Sequence, residues 1–152
     1  MTTLERSTPP ERVILVTVGL GRSAGAGGDE EMVRLIGTAG GAVLDTIHQN
    51  LARPDAVSFV GRGKVEEITR RAEELEATTI VLNHNLTPGQ VTRLERATRC
   101  KVIDRTELIL AIFALNARTV QARLQIELAQ LRYTLPRLSG MWHHFSRLGA
   151  GI

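Results

Sequence analysis

The stretch VILVTVGL, residues 13–20, decides the fold of this chain. It is short, rich in β-branched residues and apolar at successive positions, which is typical of a strand buried on both faces in the middle of a parallel sheet. Further strands are predicted at Ala42–Ile47, Thr79–Leu82 and Lys101–Asp104. Because helical patterns separate these strands, the sequence predicts an α/β fold with a small four-stranded parallel sheet and flanking helices.

Local signals mark where two of the helices begin. Thr87 is followed by Pro88 and Gln90, which predicts a capping box at the start of a helix. A second cap is expected at Thr106, for a helix over Glu107–Leu115. That helix is expected to face the sheet through Ile109, Ile112 and Phe113.

The chain changes class after residue 115, where strand patterns end. The segment ARTVQARLQIELAQLRYTLPRL, residues 117–138, has apolar residues at the spacing of an amphipathic helix that seeks a partner helix. We call these residues the leucine stripe: Val120, Leu124, Leu128, Leu131, Leu135 and Leu138. Pro136 cannot donate a backbone hydrogen bond, so the helix should kink or end around residues 133–135.

These patterns divide the chain into three parts. Residues 1–12 are polar and contain two prolines, so we expect a disordered lead-in. Residues 13–115 should form the α/β domain. Residues 116–152 should form a helical arm, which is half of a helical hairpin, and the start of a glycine-rich loop.

Positive charge is concentrated near the end of the chain. The formal net charge is +3, yet residues 1–104 are nearly balanced, whereas residues 105–152 hold six arginines against Glu107 and Glu127. Arginines on a helix favour a polyanion as partner, because they displace counterions from phosphates. The alternative is an ordinary solvated face.

Aromatic and basic residues occur together in the tail of the arm. Trp142, His143 and His144 offer flat rings, and Arg137 and Arg147 flank them. Rings beside arginine are typical of proteins that hold unpaired RNA bases, although these rings could instead pack on the arm. The candidate RNA-binding residues are Arg118, Arg123, Arg132, Arg137, Trp142, His143, His144 and Arg147.

The segment GRGK, residues 61–64, offers a second candidate site, because glycines before a helix let backbone amides approach a phosphate. A complete phosphate loop is missing, since Val65 stands where a serine or threonine would hold magnesium. Residues 83–85 follow the predicted third strand, where open α/β sheets place ligands. Weak nucleotide or phosphate binding is therefore a hypothesis for Gly61, Gly63, Lys64, Asn83, His84 and Asn85, against a tight turn and an ordinary polar loop.

Other classes of site find no support in the sequence. Cys100 is the single cysteine, which excludes an intramolecular disulfide and favours the reducing cytoplasm. The histidines lack acidic or cysteine companions at metal-ligand spacing, so no metal site is expected. No serine or cysteine has an arranged base, so no catalytic residue is assigned. No apolar run approaches the roughly 20 residues that span a membrane.

Two stretches carry a family resemblance. FVGRGKVEEI, residues 59–68, and KVIDRTELILAIFALNARTVQARLQIELAQLRYTLPRLSGMWHH, residues 101–144, closely resemble the N-terminal part of HflX-type translational GTPases. In that family an α/β domain and a two-helix arm precede a GTPase domain. The resemblance implies binding to the large ribosomal subunit and its rRNA, and the splitting or rescue of stalled ribosomes.

The resemblance also sets expectations for ligands. GTP and magnesium would belong to a GTPase domain, which we do not find before Ile152, so this chain alone should not hydrolyse GTP. ATP is a further candidate ligand, because the N-terminal domain of this family has been linked to ATP binding. The leading hypothesis is therefore a ribosome-binding module. The alternatives are a small ATP- or nucleotide-binding α/β protein and a protein-interaction or dimerisation module that uses the unpaired helix. Whichever holds, we expect the face of Val120, Leu124, Leu128 and Leu131 to self-associate or to fold back on the α/β domain, because such an apolar stripe is costly to expose.

Overall fold

The computed structural model describes residues 9–21 and 29–138. Within these ranges the strands form one parallel sheet in the order β2-β1-β3-β4. The strands are β1 (Glu11–Leu20), β2 (Gly41–Leu51), β3 (Thr79–Leu82) and β4 (Lys101–Ile103). The helices are α1 (Asp29–Thr38), α2 (Arg62–Leu75), α3 (Pro88–Thr98), α4 (Arg105–Asn116) and α5 (Val120–Thr134). The predicted α/β class with a four-stranded parallel sheet is confirmed.

Strand β1 lies in the interior of the sheet, as its apolar run predicts. It pairs with β2 on one side and with β3 on the other. Ile14 and Val16 pack into a core with helices α2 and α3, whereas Val13 and Leu15 pack into a second core with α1 and α4. Both faces of β1 are therefore buried, which explains why polar residues are nearly excluded from it.

Two strands extend beyond their predicted limits. β1 begins at Glu11, two residues before the expected start, because Arg12 is fastened to the end of α2. The Arg12 guanidinium donates to the carbonyl of Leu75 at 2.7 Å and to that of Glu76 at 3.1 Å. β2 continues to Leu51 rather than ending at residue 47, since it pairs along the whole of β1.

The capping box at Thr87 is confirmed. The backbone N–H of Gln90 donates to Thr87 Oγ1 at 3.2 Å, and the Thr87 N–H donates to Gln90 Oε1 at 2.9 Å. The expected cap at Thr106 is wrong. Asp104 caps α4 instead, accepting from the Glu107 N–H at 3.0 Å, because the helix begins two residues earlier than predicted.

The face that helix α4 presents to the sheet matches the expected one only in part, since Ile112 packs there as expected and Phe113 does not. Leu108 is buried and Ile112 packs beside it, one helical turn further on. Phe113, expected to face the sheet, is 54% exposed. Leu108 and Ile112 are four positions apart and share one face of the helix, whereas Phe113 lies about 100° further around the helix than Ile112.

Candidate nucleic-acid interface on the arm

The arm leaves the α/β domain through a short, well-ordered connection. Residues 117–119 join α4 to α5, and Thr119 caps α5 by accepting from the Ala122 N–H at 3.0 Å. Arg123 Nε donates to the Ala117 carbonyl at 3.3 Å, which ties the first turn of α5 to the end of α4. A connection this short folds the second helix back along the first. Gln130 and Thr134 accordingly line a cavity with residues of α4 and β4.

The arm helix ends where its proline predicts. α5 stops at Thr134 and continues as a 3-10 turn over Leu135–Arg137. Pro136 lies in this turn, where a missing N–H and a fixed φ angle are tolerated. The predicted end of the helix around residues 133–135 is confirmed.

Helix α5 has apolar residues on two opposite faces. The half-buried face carries Ala122, Ile126 and Ala129, and no residue of α5 is fully buried. The leucine stripe lies on the other face, where Val120, Leu124, Leu128, Leu131 and Leu135 are between 48% and 74% exposed. The expectation that this stripe folds back on the α/β domain is therefore wrong, because the smaller face occupies that contact. Self-association of the stripe stays a prediction.

The candidate arginines of the arm lie in different surroundings. Arg118, Arg123 and Arg132 are exposed, and none of them forms an ion pair with a described residue. Arg123 and Arg132 are nine positions apart, so at about 100° per residue they flank the leucine stripe on its two sides. Trp142, His143, His144 and Arg147 lie outside the described residues.

Arg137 lies in a junction between the arm and the α/β domain. Its guanidinium covers the Tyr133 ring at 3.7 Å and donates to the Leu86 carbonyl, in the loop after β3, at 2.9 Å. Asp104 accepts a hydrogen bond from the Tyr133 hydroxyl. We call this group of Asp104, Tyr133 and Arg137 the junction. Arg137 was predicted as an RNA contact, and the structure places its cation against the protein.

Burial sets the protonation behaviour of the junction. Burial and the adjacent Asp104 carboxylate raise the pKa of Tyr133 to about 12, because both disfavour a phenolate. Burial also raises the pKa of the nearby Glu107, with a smaller contribution from the negative charge of Asp104. The Tyr133 hydroxyl therefore keeps its proton, and its bond to Asp104, throughout the neutral range.

The first half of the candidate phosphate site is used by the protein itself. The Gly61 N–H donates to Gln49 Oε1 at 3.2 Å, and Gly63 lies inside the first turn of α2. Lys64 Nζ forms an ion pair with Glu67 at 2.7 Å. An anion at this helix start would compete with Glu67 for the lysine and with Gln49 for the amide.

The second half closes the crevice at the carboxyl end of the sheet. Asn83 Oδ1 accepts from the Val18 N–H at 2.9 Å, and His84 Nε2 is hydrogen-bonded to the Val18 carbonyl. Asn85 Oδ1 accepts from the Thr106 hydroxyl at 2.7 Å. β1 and β3 lie side by side here, at the switch point where such sheets usually bind ligands. The polar side chains predicted to bind a nucleotide fill that place.

The two halves do come together in space. The His84 ring stacks on Phe59, which precedes the GRGK segment, with 5.3 Å between ring centroids. Phe59 has a φ of 64°, an uncommon conformation for a residue with a side chain. This strained position brings the start of α2 next to the loop after β3, so both segments belong to one edge of the sheet.

Two residues of the junction escaped the sequence reasoning. Asp104 was assigned to the end of a strand, and Tyr133 was named only as a helix end. A usable signal existed for Asp104, because an aspartate followed by Glu107 three positions later is a helix-start pattern. Tyr133 had no such signal, since its partner is 29 positions away.

The remaining surface of the described chain holds less specific features. A groove of about 970 Å³ between α2 and α3 contains Arg62, Arg70 and Arg93, balanced by acidic residues. Within residues 9–21 and 29–138, no group of three metal-ligating side chains comes together. None of the helices in these ranges is long and apolar enough to cross a membrane.

Comparison with known families matches both regions of the chain. A family model described as the N-terminal region of GTP-binding GTPases matches residues 29–114, and a model of their middle region matches residues 116–152. The chain belongs to the HflX family of GTPases. It is 47% identical over 143 residues to GTPase HflX of Lacrimispora saccharolytica, covering 93% of this chain and 34% of that relative.

A further relative and a solved structure agree with this assignment. GTPase HflX of Escherichia coli is 38% identical over 148 residues, which cover 97% of this chain and 35% of that relative. A GTP-binding protein of Sulfolobus solfataricus, solved in complex with GDP, superposes with a TM-score of 0.64 at 25% identity, covering 88% of this chain and 40% of the other. The chain thus spans about a third of the length of the curated relatives it matches.

Proposed function

We propose that this chain is the ribosome-binding N-terminal module of an HflX-type GTPase, acting in the cytoplasm to split or rescue stalled ribosomes. Its partner is the large ribosomal subunit, which it contacts through rRNA. GTP and magnesium belong to the GTPase domain of such a protein, and this chain alone does not hydrolyse GTP. The observation that supports the proposal most is the exposed part of the arm, where Arg118, Arg123 and Arg132 form no ion pair with a described residue.

The placement of the arginines suits a helix that enters a cleft in RNA. Arg123 and Arg132 point to different sides of α5, so a cleft would offer phosphates to both. Exposed guanidinium groups that lack an acidic partner lose little when they meet a phosphate. Each such contact releases condensed counterions, which makes binding steeply dependent on salt.

Co-sedimentation with purified large ribosomal subunits across a salt series tests this proposal. We compare the wild-type chain with an Arg123→Ala/Arg132→Ala variant. The matched control, Arg93→Ala/Arg96→Ala, removes the same charge from exposed positions on α3. If each arm arginine contacts one phosphate, the arm variant binds more weakly and its log–log salt slope is shallower by about 1 to 2.

Two results would contradict the proposal. One is equal loss of affinity in the arm and α3 variants, which would show a diffuse charge effect. The other is failure of the wild-type chain to sediment with the subunit at the lowest salt concentration.

A protein-interaction role is a second candidate, favoured by the exposure of the leucine stripe. Leu124 and Leu131 are 60% and 52% exposed, and a continuous apolar stripe at this spacing is suited to pairing with another helix. Sedimentation equilibrium over a concentration series tests it. Self-association that disappears in Leu124→Glu/Leu131→Glu would support this role, whereas a monomer at all concentrations would exclude pairing between copies of this chain.

A further inference from the structure

We infer that the junction of Asp104, Tyr133 and Arg137 sets the orientation of the arm on the α/β domain. Arg137 is then a residue that positions the arm and not one that contacts RNA. The inference about orientation stands on the structure of the chain. Its consequence for ribosome binding rests on the function proposed above, so the two are tested by separate measurements.

The contacts of Arg137 already use its charge and its geometry. Nη1 donates to the Tyr133 carbonyl at 2.8 Å, and Nη2 donates to the Leu86 carbonyl at 2.9 Å. The side chain is only 17% exposed, and its plane lies over the Tyr133 ring. A phosphate could reach this guanidinium only after these contacts were broken. The side chain of Arg132, by contrast, is exposed and forms no ion pair or hydrogen bond with a described residue, and the exposed Arg123 side chain has a single such hydrogen bond, from Nε to the Ala117 carbonyl.

Asp104 supplies the other side of the junction. It is 1% exposed and accepts from the N–H groups of Leu86 and Glu107 at 3.1 Å and 3.0 Å, in addition to the Tyr133 hydroxyl. Arg137 Nε lies 3.9 Å from the carboxylate. A buried carboxylate must be paired in this way, because burial without partners is costly. The loop after β3, the start of α4 and the end of α5 therefore all contact the Asp104 carboxylate.

The rest of α5 cannot hold the arm in one orientation by packing alone. Its inward face consists mainly of small side chains, Ala122 and Ala129, with Ile126 between them, and none is fully buried. The helix is about 22 Å long at 1.5 Å per residue. It is fastened by Thr119 and Arg123 at its start and by the junction at its end. Directional hydrogen bonds at both ends of α5 fix its angle to the α/β domain. Apolar packing of small side chains alone would allow a range of angles.

The substitution Arg137→Lys distinguishes the loss of the junction's contacts from the loss of positive charge. A lysine keeps the positive charge available to RNA, but it cannot donate to two carbonyls from one plane while it covers a ring. The same change at the exposed Arg132 breaks no ion pair or side-chain hydrogen bond with a described residue. Arg137→Lys and Arg132→Lys therefore form a matched pair with equal charge and different effects on the junction.

Arm orientation is measured directly by double electron–electron resonance. Spin labels are placed at the exposed positions Gln125 on α5 and Arg96 on α3, in a Cys100→Ala background. We expect one narrow distance distribution in the parent and in Arg132→Lys, and a broader one in Arg137→Lys and Tyr133→Phe. Far-UV circular dichroism checks that each variant is folded. Distributions that stay equally narrow in both junction variants would overturn the inference.

Binding is measured by co-sedimentation with large ribosomal subunits at a fixed salt concentration. We expect Arg137→Lys to bind about tenfold more weakly, the equilibrium effect of losing roughly one charge-assisted hydrogen bond, and Arg132→Lys to stay near wild type. Equal affinities for both variants would overturn the role of Arg137 in binding. If the wild-type chain does not bind at all, the proposed function fails, while the distance measurement still decides the orientation of the arm.

Discussion

The α/β domain and the arm use similar residues in opposite ways. In the domain, Leu15 is fully buried, and the polar side chains at the carboxyl end of the sheet hydrogen-bond to their own backbone and to each other. In the arm, Leu124 is 60% exposed and Arg132 forms no ion pair with a described residue. The apolar and polar side chains compared in the domain are buried or hydrogen-bonded within it. The arm exposes apolar side chains and charged groups that a partner could contact.

This difference indicates which part of the chain is the better candidate for binding a partner. The glycine-rich segment and the loop after β3 attract attention as a nucleotide site, but their groups serve the fold. Helix α5 packs along α4 through half-buried residues only, and its outer face is exposed. Interaction with partners is therefore expected on α5, and the domain is expected to serve as its rigid base.

The largest expected effect separates the two regions by stability. Leu15→Ala removes a fully buried side chain from the central strand and should lower the free energy of unfolding by about 2–5 kcal/mol. Leu124→Ala on the leucine stripe should change it by no more than about 0.5 kcal/mol. Urea denaturation followed by circular dichroism, at low protein concentration, gives both values. Comparable losses would show that the stripe is covered in solution.

The junction between the regions should respond to alkaline pH. The pKa of Tyr133 is raised to about 12 from an unfolded value near 10. A raised pKa means that this stabilisation is complete below pH 10 and is lost as the pH rises through 12. Tyr133 is the single tyrosine of the chain, so the ultraviolet absorbance change that accompanies ionisation of a phenol reports this side chain alone.

We expect the wild-type phenol to titrate near 12, and that of Arg137→Lys to titrate closer to 10 because an open junction exposes the ring. A midpoint near 10 in the wild-type chain would mean that the arm is not held by Asp104.

Removing the threonine cap of α3 or of α5 should give smaller losses of stability that differ between the domain and the arm. Thr87→Ala in the domain should cost about 1 kcal/mol of global stability, because α3 unfolds only with the core. Thr119→Ala in the arm should cost less in global unfolding, since α5 has no fully buried residue and can fray locally. Amide hydrogen exchange distinguishes the two: faster exchange confined to α5 is expected for Thr119→Ala. Equal global losses would argue that α5 and the sheet unfold as one unit.

The smallest effect is expected at Lys64. Its pairing with Glu67 predicts that Lys64→Ala changes ATP affinity by less than about fivefold, the range of a partly exposed ion pair. Equilibrium dialysis with labelled ATP measures this change in affinity. Arg62→Ala, two residues earlier in the same helix, is the control for loss of one positive charge. A specific loss of ATP binding in Lys64→Ala would restore the nucleotide-site hypothesis for the domain.

Most of the α/β architecture follows from local patterns. The apolar run of β1 indicates an interior strand, and Thr87 with Gln90 indicates a helix start, because each signal depends on neighbours within a few residues. The expected inward position of Phe113 is wrong because Leu108 and Ile112 form the face toward the sheet, and Phe113 lies about 100° around the helix from Ile112. Boundaries set by distant partners, such as Arg12 at the end of α2, are not visible in local patterns.

The arm was harder to predict because α5 has two apolar faces. Leucines are larger than alanines, so the leucine stripe looks like the inward face, yet Ala122 and Ala129 make the contact with the domain. The half-buried positions of α5 are occupied mainly by small side chains, which the size of the leucines does not reveal. The burial of Arg137 was likewise invisible, since it depends on Asp104, which is 33 positions earlier in the chain.

Site-specific cross-linking shows whether rRNA contacts the arm, as we propose, or the α/β domain. A photoreactive amino acid is placed at exposed Gln125 on α5 in one variant and at exposed Glu66 on α2 in another, and each is irradiated with purified large ribosomal subunits. We expect cross-links to rRNA from position 125, with few from position 66. Equal cross-linking from both positions, or cross-linking from position 66 alone, would contradict the proposal.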